Sequence, residues 1–259
     1  MDKDVRQKNP GKCPRCGMKL LVGIPEPVEF HVDLALKPKP PRAGAPVDMT
    51  FRVEDPKNGE AVRKFDVVHE KLFHLFLISE DLEYFAHEHP EFEEKPGVFR
   101  FRTSLPKAGP YRVLTDFFPT GSVPQMHVST MYVPGKVMKG APLKADVGPR
   151  KAVNLNVELT MEPREPVAGF KTLMFFKLSP KDGGEFKLEQ YLGAWGHMLA
   201  ASEDLIDLVH THPFIADGGP QVQFNMLFPR EGIYRVWVQF QSKGEVNTVA
   251  FNVPVKQLR

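Results

Sequence analysis

The 259-residue sequence has little of several features, and each shortage argues against a class of protein. It contains only two cysteines, Cys13 and Cys16, too few for a disulfide framework. The net charge is +2, from 34 basic and 32 acidic residues. Nucleic acid is therefore not expected as a partner, because phosphates call for a strong basic excess. No apolar run approaches the ~18 residues of a transmembrane helix. The charged start Met1–Asp4 has no apolar core behind it, so no secretory signal is expected in this sequence.

The composition that is present predicts a folded, strand-rich protein. Hydrophobic residues make up 42% and charged residues 25%, as in globular proteins. The 25 prolines disfavour long helices, and the 20 phenylalanines favour strands.

An internal duplication organises the chain. The segment Leu72–Pro90 recurs 123 positions later as Trp195–Pro213, so that His74 becomes His197. The same offset relates Pro106–Val113 to Pro229–Val236. Solenoid repeats are 20–50 residues long, so this period indicates a duplicated domain.

The duplication predicts the domain boundaries. Residues 1–22 form a short cysteine-containing segment, and repeat one covers residues 27–134. A linker rich in glycine, proline and lysine covers residues 135–149, and repeat two covers residues 150–259.

Strand patterns dominate both repeats. Apolar and polar residues alternate in Phe30–Leu36, Val98–Arg102 and Tyr234–Phe240, as in sheets with one buried face. Tyr111 and Tyr234 follow corner-like sequences that resemble the tyrosine corner of immunoglobulin-like domains. We therefore expect an all-β protein of two tandem immunoglobulin-like (cupredoxin-like) β-sandwiches.

Six of the nine histidines form a repeated set. They are His74, His87 and His89 in repeat one, and His197, His210 and His212 in repeat two. His87 and His89 are two residues apart on a predicted strand and point to one face. Ser79–Asp81 resembles the start of a helical turn, which would fold the strand of His74 back on theirs. With an even connecting loop His74 shares their face, whereas an odd loop places it opposite Glu88.

Three converging imidazoles would suit Zn, Cu, Fe or Ni, and of these copper or zinc is the expected cofactor. Such a site keeps an open fourth position. A blue-copper centre is not expected, because neither sandwich contains a cysteine. Further candidate ligands are His69, Asp116, Met126, His127 and Met131 in repeat one, and Met198 in repeat two. In the alternative interpretation the histidines are structural and bond main-chain carbonyls.

The N-terminal Cys13-Pro14-Arg15-Cys16 followed by glycine is typical of a metal knuckle. A thioredoxin-type redox pair is the weaker alternative, since its βαβ context is missing. The segment Pro10–Leu20 resembles the heavy-metal-binding domain near the N-termini of bacterial metal-efflux proteins. That family's upstream cysteine has no counterpart here, and Asp2 stands at its histidine position. The resemblance implies metal ions, and a metal-efflux or membrane protein, as partners.

The two repeats resemble YtkA-like bacterial secreted domains, which carry a Phe-His-Leu run, a Ser-X-Asp-Leu turn and a His-X-His-Pro end, as between His74 and Pro90. The resemblance implies an immunoglobulin-like or cupredoxin-like sandwich, a periplasmic or cell-envelope location, and an association with metal handling.

Three functions follow as hypotheses. The first is a metal-binding, metallochaperone-like or metal-resistance accessory protein with one three-histidine site per repeat. The second is an adhesion or adaptor module with structural histidines. The third, a metalloenzyme, ranks lowest because Glu88, the candidate general base, recurs as Thr211.

Overall fold

The computed structural model describes residues 7, 9, 11–15, 17, 28–68, 70–137 and 140–258. The described residues form seventeen strands and no helix. The strands of repeat one are β1 (His31–Lys37), β2 (Pro46–Glu54), β3 (Phe73–Ser79), β4 (Phe85–Glu88), β5 (Glu91–Glu93), β6 (Val98–Ser104), β7 (Gly109–Phe117) and β8 (Gln125–Val133). Those that follow are β9 (Arg150–Lys151), β10 (Leu155–Glu162), β11 (Lys171–Pro180), β12 (His197–Ser202), β13 (Leu208–Thr211), β14 (Pro213–Ile215), β15 (Gln221–Leu227), β16 (Gly232–Ser242) and β17 (Glu245–Val255). None of the described residues forms a helix long and apolar enough to cross a membrane.

Each repeat is a sandwich of two antiparallel sheets with equivalent strand orders, except that repeat two adds the edge strand β9. Repeat one pairs an outer sheet, β1-β2-β6-β5, with an inner sheet, β4-β3-β7-β8. Repeat two pairs an outer sheet, β14-β15-β11-β10-β9, with an inner sheet, β13-β12-β16-β17. The predicted all-β fold of two tandem immunoglobulin-like sandwiches is confirmed.

Alternating residues of the facing sheets fill each core. In repeat one the core includes Phe51, Phe73, Leu75 and Phe99, all at most 1% exposed. Phe73 stacks on Phe99 with ring centroids 4.3 Å apart. Burial of aromatic side chains of this size is a large part of what stabilises a domain.

The two sandwiches pack together through their inner sheets. A separate apolar cluster, which we call the interface cluster, joins them. Its buried members are Phe76, Ile78, Leu82 and Leu114 from repeat one, and Leu199, Ala201, Leu205, Leu208 and Trp237 from repeat two. Phe85 stacks on Trp237 at 4.8 Å. Strands β3 and β12 are consequently buried at every residue, since one face covers a core and the other covers the interface.

The tyrosine corners form in both repeats. The Tyr111 hydroxyl donates to the Lys107 carbonyl at 2.9 Å, and the Tyr234 hydroxyl accepts from the Arg230 amide at 3.2 Å. Each bond ties the corner to the start of a central strand of the inner sheet.

The Ser79–Asp81 segment starts a tight turn and not a helical one. The Ser79 hydroxyl accepts a hydrogen bond from the Tyr84 amide at 2.9 Å, and the Leu82 amide donates to the Ser79 carbonyl. Leu82 closes the turn with a φ of 59°. Serine and aspartate side chains compete with helical hydrogen bonds in this way, so the chain reverses directly into β4.

The segment between the repeats lies against repeat two. Asp146 exchanges main-chain hydrogen bonds with Asn252 of β17 at 2.9 and 2.8 Å. Leu143 packs on the interface cluster, and its amide donates to the Glu203 carboxylate.

Candidate metal centre

The register of the β3–β4 hairpin decides whether the histidines of repeat one converge. Phe76 pairs with His87 and Leu75 pairs with Glu88, so the same register places His74 opposite His89. This is the even-loop arrangement, and the three imidazoles share one face. The Nδ1 atom of His74 lies 3.2 Å from Nε2 of His87 and 3.2 Å from Nε2 of His89.

Repeat two builds the same arrangement. Leu199 pairs with His210, which places His197 opposite His212. Nε2 of His212 lies 3.0 Å from Nδ1 of His197. In each group of three histidines, one nitrogen per ring lies within 4.8 Å of the others. We call these groups site one (His74, His87, His89) and site two (His197, His210, His212).

Main-chain carbonyls orient the first histidine of each site. Nε2 of His74 lies 3.0 Å from the Val68 carbonyl, and Nε2 of His197 lies 2.8 Å from the Tyr191 carbonyl. A carbonyl can only accept, so Nε2 carries the proton. In the neutral ring, Nδ1 then presents its lone pair to the other two histidines.

The second histidine of each site is oriented by the opposite repeat. Nδ1 of His87 donates to Oε1 of Gln239 at 2.8 Å, and Nδ1 of His210 donates to Oδ2 of Asp116 at 2.9 Å. Each ring therefore turns the lone pair of Nε2 toward its own site. A partner on the far nitrogen is the usual arrangement for a histidine that ligates a metal.

One of these inward nitrogens has no partner. Nε2 of His210 is buried and makes no hydrogen bond with any part of the chain that the structure describes. Buried polar atoms are nearly always paired, so an orphaned imidazole nitrogen among two others calls for an explanation.

Burial keeps His87 and His89 of site one uncharged. Desolvation lowers the pKa of His87 well below 6.5, and repulsion from His89 and His197 lowers it further. The hydrogen bond to Gln239 opposes this shift. Burial, followed by the charges of His74 and Lys71, lowers the pKa of His89 to about 3. Neutral imidazole is the form that binds metal.

The two sites are neighbours across the domain interface. The ring centroids of His87 and His197 are 5.2 Å apart, and those of His74 and His210 are 5.9 Å apart. The Phe76 ring stacks on His87 at 4.2 Å and contacts His210 at 4.7 Å. Both sites thus lie on the inner sheets, on the face that points away from the core of the sandwich and toward the opposite repeat.

Most of the further candidate ligands lie away from the sites. Met198 and Met131 were wrong as ligands, because both belong to sandwich cores on the opposite face from the sites. Met126 pairs with Asp116 and is 51% exposed. His127 follows Met126 along β8, so it lies on the opposite face of the sheet and was also wrong.

Glu88, the candidate general base, also lies away from the sites. Glu88 alternates with His87 along β4, so it starts from the opposite face of the sheet.

Asp116 does belong to the centre, as a hydrogen-bond partner of site two. Gln239 was missed because glutamine is not a typical metal ligand. The internal repeat could have identified it, since Gln239 stands 123 positions after Asp116 and is its equivalent in repeat two. Cys13 is described and buried, whereas Cys16 and His69 lie outside the described residues.

The family model "Domain of unknown function (DUF8832)" matches the chain twice, over residues 28–133 and 151–257. The chain therefore belongs to this family. No curated protein matches it. The resemblances to YtkA-like domains and to the heavy-metal-binding domain stay predictions.

Several solved structures are similar at low identity. The Escherichia coli adhesin FdeC is 14% identical, over 87% of this chain and 66% of that chain, with a TM-score of 0.29. The fibronectin(III)-like modules of Clostridium thermocellum CbhA are 11% identical, over 88% and 95%, with a TM-score of 0.23. The Yersinia pseudotuberculosis adhesin InvE is 10% identical, over 87% and 60%, with a TM-score of 0.27. The chain thus spans about two thirds of the FdeC chain, and these TM-scores carry no inference about its function.

Proposed function

We propose that this protein binds metal ions, copper or zinc, through site one and site two, as a metallochaperone-like or metal-resistance accessory protein. The observation that carries the proposal is Nε2 of His210, which is buried beside two other inward imidazole nitrogens and has no hydrogen-bond partner among the described residues. A bound ion would accept the lone pairs of all three nitrogens and remove the free-energy cost of burying Nε2 of His210 unpaired.

The donor set supports the choice of metal. Three neutral imidazoles suit divalent zinc and copper. In each site, carbonyl, amide or carboxylate oxygens already hold the outer nitrogens of the first two histidines. Met131 and Met198, whose thioethers would have favoured Cu(I), lie in the sandwich cores.

The resemblances support the cellular setting. Similarity to YtkA-like secreted domains supports a location in the cell envelope. The Cys13–Cys16 segment supports a metal-efflux or membrane protein as partner.

Elemental mass spectrometry of tag-free protein, after incubation with Cu²⁺ or Zn²⁺ and desalting, tests the proposal. We expect about two ions per chain in the wild type, about one in the variant His87→Ala/His89→Ala, and none when His210→Ala/His212→Ala is added. The matched control is His31→Ala/His127→Ala, which removes two histidines outside the sites and should retain both ions. Circular dichroism checks that each variant is folded. Equal metal content in all four proteins would refute the proposal.

The second candidate is an adhesion or adaptor module with structural histidines. The extensive apolar interface and the packed linker favour a rigid tandem spacer. This candidate predicts that the histidine variants lose stability without any change in metal content, and it leaves Nε2 of His210 unexplained.

A further inference from the structure

Asp116 and Gln239 occupy the same position in the two repeats but differ in charge. Each lies on the inner sheet of its own repeat, opposite the first histidine of its own site in the strand register. Each side chain reaches across the interface to the second histidine of the other repeat. The two hydrogen bonds are equivalent in geometry, at 2.8 and 2.9 Å, so the charge of the acceptor is the main difference between them.

We propose that Asp116 is a positioning residue that makes site two the tighter metal site, so that site two fills before site one. The inference rests on the proposed function and adds the order in which the two sites bind metal.

The physical reason is the strength of the acceptor. A carboxylate that accepts from Nδ1 forms a charge-assisted hydrogen bond. This bond raises the basicity of Nε2, so its lone pair binds a metal cation more strongly. The His210 side chain is only 2% exposed, so water screens this interaction weakly. In site one, Oε1 of Gln239 is a neutral acceptor, and the amide Nε2 is held by Thr248 at 3.0 Å. It orients His87 equally well but adds no charge.

The negative charge of Asp116 lies near both sites. A test must therefore separate its electrostatic effect on a bound cation from its hydrogen bond to His210. Asp116 is also the register partner of His74, a member of site one. Because that effect acts through space and the carboxylate is 27% exposed, we expect it to be small beside the direct bond to His210.

Single-site backgrounds that keep both crossed hydrogen bonds give the cleanest test. His89→Ala weakens site one and leaves site two, whereas His212→Ala does the reverse. The Zn²⁺ dissociation constant of each is measured by competition with a chelating dye. We expect the His89→Ala protein to bind Zn²⁺ at least about 10-fold more tightly than the His212→Ala protein.

Isosteric substitutions then assign the difference to the acceptor. Asp116→Asn should weaken Zn²⁺ binding roughly 10–100-fold in the His89→Ala background and less than about 3-fold in the His212→Ala background. Gln239→Glu should tighten binding in the His212→Ala background. Asp116→Asn combined with Gln239→Glu should reverse the order of the two sites, which a purely structural role would not do.

The outcomes separate the two proposals. Equal affinities, tighter binding at site one, or equal losses at both sites on Asp116→Asn would overturn the inference and leave the proposed function standing. Absence of Zn²⁺ binding in both backgrounds and in the wild type would overturn both.

Discussion

Lowering the pH from 7 to 5 should destabilise the metal-free protein through His87 and His89. Both imidazoles are neutral in the folded protein, because burial lowers the pKa of His87 well below 6.5 and that of His89 to about 3. In the unfolded chain both regain a pKa near 6.5. The unfolded state therefore binds protons below pH 6.5 that the folded state does not. Stability is present above pH 6.5 and declines as the pH falls toward 3.

The magnitude follows from the unfolded-state protonation. At pH 5 a histidine that stays neutral on folding lowers the free energy of unfolding by about 2 kcal/mol. His87 is 6% exposed and takes this value in full. His89 is partly exposed, so solvent screening reduces its share to about half. The expected loss from the pair is about 3 kcal/mol, a large part of the 5–15 kcal/mol typical of a folded protein.

Urea denaturation in the presence of a chelator, followed by circular dichroism at pH 7 and pH 5, measures this loss. The variant His87→Gln/His89→Gln keeps polar side chains but cannot titrate, so its loss should be smaller by about 3 kcal/mol. Titration of the carboxylates changes the stability of both proteins equally, so it cancels when the two losses are compared. The control His31→Gln should behave as the wild type, because His31 lies outside both sites. A difference below about 1 kcal/mol between the wild type and the double variant would refute the argument that these imidazoles are buried and neutral.

Two further predictions concern the scaffold. Tyr111→Phe should lower the free energy of unfolding by about 1 kcal/mol, since it removes the hydroxyl that donates to the Lys107 carbonyl. Tyr234→Phe should cost about 2 kcal/mol, because its hydroxyl donates to the charged Asp207 carboxylate at 2.9 Å. Equal losses in urea denaturation would show that the charged acceptor adds nothing to the bond. Trp237→Ala should cost about 3 kcal/mol and speed proteolysis of the segment 140–149, since it removes the ring that stacks on Phe85. An unchanged cleavage rate would mean that this contact does not hold the sandwiches together.

The sequence predicts the sandwiches well because each repeat carries strong local signals. Period-two alternation marks the strands of the outer sheets, and the corner tyrosines fix the approach to β7 and β16. The duplication adds independent support, because both copies must adopt the same strand order. The misreading of Ser79–Asp81 as helical arose because a serine followed by acids suits either a helix start or a tight turn.

The location of the sites could not be predicted from the same patterns. In β3, Phe73 and Leu75 face the core while Phe76 and Ile78 face the other repeat, so apolar residues occupy both faces. Alternation then gives no indication of which face His74 shares. The contact between the repeats is also absent from any local pattern, because it depends on how two complete sheets pack.

The crossed hydrogen bonds show how the duplication produced this arrangement. When two copies of one domain pack through the same face, a contact between residue i of one copy and j of the other recurs with the roles exchanged. His87 with Gln239 and His210 with Asp116 are such a pair, each joining equivalent positions. The two histidine sites on that face lie next to each other, and a residue of the opposite repeat orients one histidine of each. Once the copies are joined in one chain, the two acceptors can diverge independently, as aspartate and glutamine have here. A symmetric dimer of identical chains cannot make that distinction, since one substitution changes both of its sites.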